Sequence, residues 1–161
     1  MIKIYEAKFQ IERGEEDRLV EALNLGFNEE YNDLDIYLTT KRHDSFKIKT
    51  APDGTILYQI KLVDGIFEVV GKTLCEEERA DIIKLHPVEV EMHRTNRVFT
   101  WKTFMVKVDF DYIREFPDRA FLKIYSIVRE PVEEAKKYLI QKGVGKPVDL
   151  AYNRLHSLEQ K

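Results

Sequence analysis

The sequence predicts an α+β fold: an antiparallel sheet of about eight strands, closed or nearly closed into a tunnel-like barrel, with helices packed outside. Three observations predict it. Many short stretches alternate apolar and polar residues with period two. Turn residues separate them at hairpin spacing. Only a few stretches carry helical periodicity, and they fall between strands or near the C-terminal end. The 161 residues are enough for one domain with a real core. The chain therefore reads as a single domain over 1–161, including C-terminal helices at about 131–158.

The elements follow in chain order. In IKIYEAKFQI (2–11) Tyr5, Ala7, Phe9 and Ile11 form one face, and Ile4, Glu6, Lys8 and Gln10 the other. EEDRLVEALNLG (15–26) is amphipathic and reads as a helix closing on Gly26. DIYL (35–38) is a short strand. SFKIKT sets Phe46 and Ile48 against Lys47 and Lys49, and TILYQIKLV sets Ile56, Tyr58, Ile60 and Leu62 against Gln59 and Lys61. Between them APDG (51–54) carries the proline and glycine of a tight turn, so the two form a hairpin. GIFEVVG and VEVEM add strands, with the helix EEERADIIKL between them, after Cys75. FTWKTFMVKVDF (99–110) reads as one strand, Phe104, Val106 and Val108 opposed to Met105, Lys107 and Asp109. DRAFLKIYSI (118–127) places Leu122 and Ile124 opposite Phe121, Lys123 and Tyr125. EPVEEAKKYLIQKG is a helix with Pro131 in its first turn, acids early, lysines late and Gly143 as the stop. KPVDLAYNRLHSL (146–158) is the last helix.

The face opposite the apolar one carries the chemistry. Summed over the strands it holds Lys8, Lys47, Lys49, Lys61, Lys107 and Lys123, with Glu6 and Asp109 as the clearest acids. On an open sheet this face is solvated. On a closed barrel it becomes a lumen, and buried lysines then need an anion beside them. Lysine binds phosphate as a point charge, and several from different strands surround a polyanion. The net charge of −3 gives no broad basic face for duplex DNA or an acidic membrane. The single cysteine, Cys75, excludes an intramolecular disulfide and fits a reducing compartment. No apolar run approaches the ~20 residues of a membrane helix, and the opening stretch has no signal-peptide layout, so a cytoplasmic location is expected. His43, His86, His93 and His156 lack ligand spacing. There is no nucleophile elbow, P-loop or dinucleotide fingerprint.

The order and spacing of these elements resemble the CYTH-type triphosphate tunnel metalloenzymes: thiamine triphosphatases, inorganic triphosphatases and class IV adenylyl cyclases. The family's opening E-x-E-x-K corresponds to Ile4, Glu6 and Lys8, and its Asp followed by Tyr to Asp35 and Tyr37. A basic R-x-R-like strand aligns with Lys47 and Lys49, and the following lysine with Lys61. RTNRVF resembles K-x-R-x-x-(Y/F), giving Arg94, Asn96 and Phe99, and the later Asp fits Asp109. The closing F-x-E-x-E falls on FLKIY, and the C-terminal segment on Ala151 and Tyr152.

The resemblance implies a closed barrel that binds triphosphate through Lys8, Lys47, Lys49, Lys61 and Arg94, and the strand parity adds Lys107 and Lys123 to the expected binding set. It also implies divalent metal on a carboxylate set, from which this chain departs. One opening glutamate is Ile4, and both closing glutamates are replaced, by Lys123 and Tyr125. Glu6 and Asp109 are what remains to hold magnesium or manganese, weakly bound or absent. A lysine ~6 Å from a divalent ion opposes it by several kcal/mol at an effective dielectric of ~20. Three readings stand: a protein binding a triphosphate, nucleotide or polyphosphate with hydrolysis weakened or lost; an active metal-dependent triphosphatase or nucleotide cyclase; or a structural, partner-binding domain.

Overall fold

The computed structural model describes residues 1–41, 44–51 and 54–160. His43 and the turn residues Pro52 and Asp53 lie outside the described residues. The elements run β1 (Ile2–Ile11), α1 (Glu16–Ala22), β2 (Gly26–Leu38), β3 (Ser45–Ala51), β4 (Gly54–Val63), β5 (Ile66–Leu74), α2 (Glu76–Leu85), β6 (Val88–Trp101), β7 (Val106–Ile113), β8 (Ala120–Ser126), α3 (Arg129–Gln141), β9 (Lys146–Val148) and α4 (Tyr152–Glu159). The strands pair antiparallel in the order β5-β4-β3-β2-β6-β7-β8-β1, and β1 pairs back onto β5, so the eight strands close into a barrel. The α+β barrel with helices outside is therefore the observed fold. The short β9 extends the sheet along β1, beyond the point where β5 leaves it.

Several elements depart from the sequence expectation, each for a local reason. Helix α1 stops at Ala22, and the chain leaves it through Asn24 in the left-handed region, with φ of 53°. Gly26 instead opens β2, of which DIYL is only the last part. The stretch 99–110 is a hairpin, not one strand: β6 ends at Trp101, and β7 starts at Val106 after a turn in which Met105 takes φ of 56°. The first residues of the expected last helix are β9. The β4–β5 hairpin turns on Asp64 and Gly65, both at positive φ, the combination that matches the twist of paired strands.

Two apolar layers hold the barrel from outside. Ala7, Phe9 and Ile11 of β1, Val108 and Phe110 of β7, and Leu122 and Ile124 of β8 pack against Leu19 of α1 and Val132, Ala135 and Leu139 of α3. Helix α2 lays Ile82 and Ile83 on Ile36, Leu38 and Ile48 of β2 and β3. A third cluster lies inside. Tyr37, Ile60, Phe67, Met92, Ile113 and Phe121 pack with Phe116, Val148 and Tyr152, so the C-terminal segment plugs one end of the lumen. Gly145, at φ of 56°, lets the chain approach the Gln10 carbonyl as it enters β9. At the other end Gly71 leaves room for a ring, since a Cβ there would lie 2.9 Å from Cε1 of Tyr58.

The packing of α3 yields a paired test. Leu139 is fully buried in the outer layer, while its neighbour Ile140 is half exposed. Leu139→Ala is expected to lower unfolding stability by about 2–5 kcal/mol, and Ile140→Ala by less than about 0.5 kcal/mol. Urea denaturation of the two variants measures this, and equal losses would mean that α3 does not pack by this face.

Candidate functional site

The lumen of the barrel is built from alternate residues of six strands. Lys8 and Glu6 come from β1, Asp33 and Asp35 from β2, Lys47 and Lys49 from β3, Arg94 from β6, Asp109 and Asp111 from β7, and Lys123 from β8. The two-residue repeat of a strand places both acids of DLD (33–35), and both of DFD (109–111), on the inner side. Lys8, Lys47, Lys49, Arg94 and Lys123 thus face Glu6, Asp33, Asp35, Asp109 and Asp111, and the formal charges cancel.

Two cations organise the network. The Arg94 guanidinium reaches Asp35 at 3.0 Å, Asp33 at 3.2 Å and Asp111 at 3.6 Å. The Lys123 ammonium lies 3.5 Å from Asp109, 3.7 Å from Asp111 and 4.0 Å from Glu6. Lys49 pairs with Asp33 at 3.0 Å and Lys47 with Asp35 at 3.7 Å. Neutral donors also reach the carboxylates: Asn96 Nδ2 donates to Asp111 at 2.6 Å and to Asp109 at 3.3 Å, and the Tyr152 hydroxyl donates to Asp111 at 2.6 Å.

These surroundings shift the ionisable groups in opposite directions. Burial alone would lower Lys123, but Asp111, Glu6 and Asp109 outweigh it and hold the ammonium well above the usual lysine range. Burial would likewise raise Asp111, yet Lys123, Arg94 and the Tyr152 hydroxyl keep it below the ordinary carboxylate value. For Asp109 burial prevails over Lys123 and the carboxyl is raised. Burial pushes Lys47 down to about 8, against the pull of Asp35. Lys8 is the outlier. It is 5% exposed, has no carboxylate within ion-pair distance among the described residues, and sits 4.2 Å from the Tyr152 ring and 4.5 Å from the Phe67 ring. Burial pushes it down to about 7, with Glu6 the strongest opposing charge.

A cavity of about 90 Å³ remains on the side away from the apolar plug, walled by Glu6, Lys47, Lys49, Arg94, Asp109 and Lys123 with Tyr31, Tyr58 and Tyr125. Of the expected binding cations, five point into the interior and two do not. Lys61 is exposed on the outer surface, opposite Glu68 of β5. On β4 the apolar side, Tyr58 and Ile60, faces the lumen because the plug is apolar, so the polar side faces water. Lys107 shares the parity of Asp109 but lies at the open mouth, where it donates to Thr100 Oγ1 at 3.0 Å. Arg94 points inward with Met92, two residues before it on β6, Met92 in the plug and Arg94 in the charged zone. The expected set contains neither Asp33 nor Asp111. Their signal was the D-x-D repeat on two strands.

No protein-family model matches the chain, and no curated protein matches it. Solved structures do. A conserved hypothetical protein from Pyrococcus furiosus is 17% identical, with TM-score 0.72 over 94% of this chain and 99% of that one. An adenylyl-cyclase candidate from Hippeastrum with a dominant triphosphatase activity is 11% identical, with TM-score 0.67 over 97% of this chain and 96% of its own. An adenylate-cyclase candidate from Bacillus halodurans is also 11% identical, with TM-score 0.67 over 96% and 98%. The chain shares with these structures the fold of a closed antiparallel barrel with helices outside. At these identities the likeness is one of fold.

In this tunnel the positions that the resemblance assigns to metal carboxylates (Ile4, Glu6, Asp109, Lys123 and Tyr125) all wall the same cavity. A divalent ion placed there would meet a fixed positive charge. The Lys123 ammonium stands among Glu6, Asp109 and Asp111, and among the described residues no group of three or more acids, histidines or cysteines is arranged for a metal.

Lys8 gives a test with a definite sign. Its folded-state pKa is depressed, so the cost of burying its charge is fully present below pH about 7 and fades as pH rises toward the unfolded value of about 10.4. Lys8→Met is expected to raise Tm, and by more at pH 6.5 than at pH 10. Thermal unfolding at the two pH values measures this. A loss of Tm at pH 6.5 would show that the two rings stabilise the ammonium more than burial penalises it.

Proposed function

We propose that the protein binds the terminal phosphoryl group of a triphosphate-bearing or polyphosphate anion in the charged cavity, and that metal-dependent hydrolysis is weakened or lost. One observation carries the reading: the Lys123 ammonium lies 3.5–4.0 Å from Glu6, Asp109 and Asp111. A unit charge pair at 4 Å is worth about 4 kcal/mol at an effective dielectric of ~20, so an internal cation already supplies the neutralisation that magnesium or manganese would bring. A divalent ion entering there would meet a fixed ammonium.

Anion binding is supported by how loosely the lysines are held. Lys123 and Lys47 stand 3.5 Å or more from their carboxylates, beyond the ~2.7–2.9 Å of a strong charged hydrogen bond. Both face the cavity beside Lys49 and Arg94. The interior charges cancel, and burial already raises Asp109, so an anion beside it favours the neutral carboxyl further. The small anionic ligand is the partner expected, in a cytoplasmic setting. No described helix is long and apolar enough to cross a membrane.

The test uses triphosphate by calorimetry and by phosphate release. Triphosphate is expected to bind without magnesium, to lose affinity in Lys47→Ala, and to be released intact after incubation with magnesium. Magnesium-dependent hydrolysis by the unmodified protein, abolished in Glu6→Gln, would make it an active triphosphatase and overturn the proposal.

A further inference from the structure

A second cavity opens at the barrel mouth, and its chemistry differs from that of the interior. It is a groove of about 490 Å³ walled by Ile4, Met105, Val106, Tyr125 and Ile127, with Lys102 and Lys107 among its lining residues. Its volume lies in the range of small-molecule pockets. Two of its apolar residues are displayed rather than hidden: Met105 is 83% exposed and Ile127 76%. Val128, next to the groove, is also exposed. Met105 is held there at φ of 56°, a left-handed conformation that a side chain of this type rarely takes. Clustered apolar exposure of this kind marks a binding surface more often than chance decoration.

The charges define the occupant. Lys102 and Lys107 have no carboxylate within ion-pair distance among the described residues, and Lys107 is oriented only by neutral oxygens of Thr100 and Asn28. Among the described residues no acidic side chain lines the groove. We infer that the mouth groove binds a small amphiphilic anion, an aliphatic chain ending in a single carboxylate. The chain lies along Ile4, Val106, Met105 and Ile127, and the carboxylate meets Lys107 and Lys102. The site shares Ile4 and Tyr125 with the charged cavity but draws on different cations, so it does not depend on phosphate binding in the interior.

Titration with hexanoate, octanoate and decanoate tests this below their micelle concentrations. Affinity is expected to rise about fourfold for each methylene added, the increment of burying one such group. Decanol is expected to bind several-fold more weakly than decanoate, and Lys107→Ala to erase that difference. Met105→Asp and Ile127→Asp, both at exposed positions and so harmless to folding, are expected to abolish the chain-length dependence. Inorganic triphosphate at excess is expected not to displace decanoate. Affinity independent of chain length, or equal binding of decanol and decanoate by the unmodified protein, would overturn the inference. So would cosedimentation with anionic lipid vesicles in the absence of decanoate binding. Displacement of decanoate by inorganic triphosphate would place the carboxylate in the interior and overturn the assignment of the head group.

Discussion

A buried ammonium surrounded by three carboxylates is the constraint on which the interior depends. Lys123 comes from β8, and its partners Glu6, Asp109 and Asp111 come from β1 and β7 on either side of it. Arg94 extends the same network from β6 to β2 and across to β7, and β3 joins through Lys47 and Lys49. Removing one member of such a set leaves a partner charge buried without compensation, at a cost of about 3–5 kcal/mol. The network therefore acts as a register device: a slip of one residue in any of these strands would turn its charged side into an apolar helix layer.

The apolar plug explains why the charges are this tightly matched. Tyr152, Phe67, Phe121 and their neighbours close one end of the lumen, so water reaches the charged zone from the mouth. In that enclosed setting unpaired charge is expensive, and the two shifted lysines record the expense. Lys47, beside Asp35, is pushed down to about 8. Lys8, deeper and facing two rings, is pushed down to about 7. Lys123, with three carboxylates, is instead held firmly protonated. The same burial thus gives opposite outcomes according to how many acids stand within reach.

Much of this was legible from residue order. The alternation in β1, β3 and β8 correctly assigns Lys8, Lys47, Lys49 and Lys123 to one side and the outer core to the other. Closure followed from the number of strands and the resemblance in their order. Lys61 was misplaced because both sides of β4 carry apolar residues and the more apolar one belongs to the plug, not to an outer layer. The D-x-D repeats carry Asp33 and Asp111 on the side of Asp35 and Asp109, but their pairing is not local: Asp33 accepts from Arg94, 61 residues away, a separation that no sequence pattern encodes. The 102–105 turn was hidden for another reason. It contains neither glycine nor proline, and Met105 takes a conformation that composition does not announce.

Whether Lys123 has taken over the role of a metal ion is decided most directly by the effect of manganese on Tm, measured side by side for the unmodified protein and Lys123→Glu. The account predicts that manganese leaves the Tm of the unmodified protein unchanged. It predicts that Lys123→Glu is strongly destabilised alone, because its new carboxylate joins Glu6, Asp109 and Asp111, and that manganese restores much of the loss. A rise in Tm for the unmodified protein as large as that for the variant would contradict it, since the carboxylates would then accept a divalent ion with the ammonium in place.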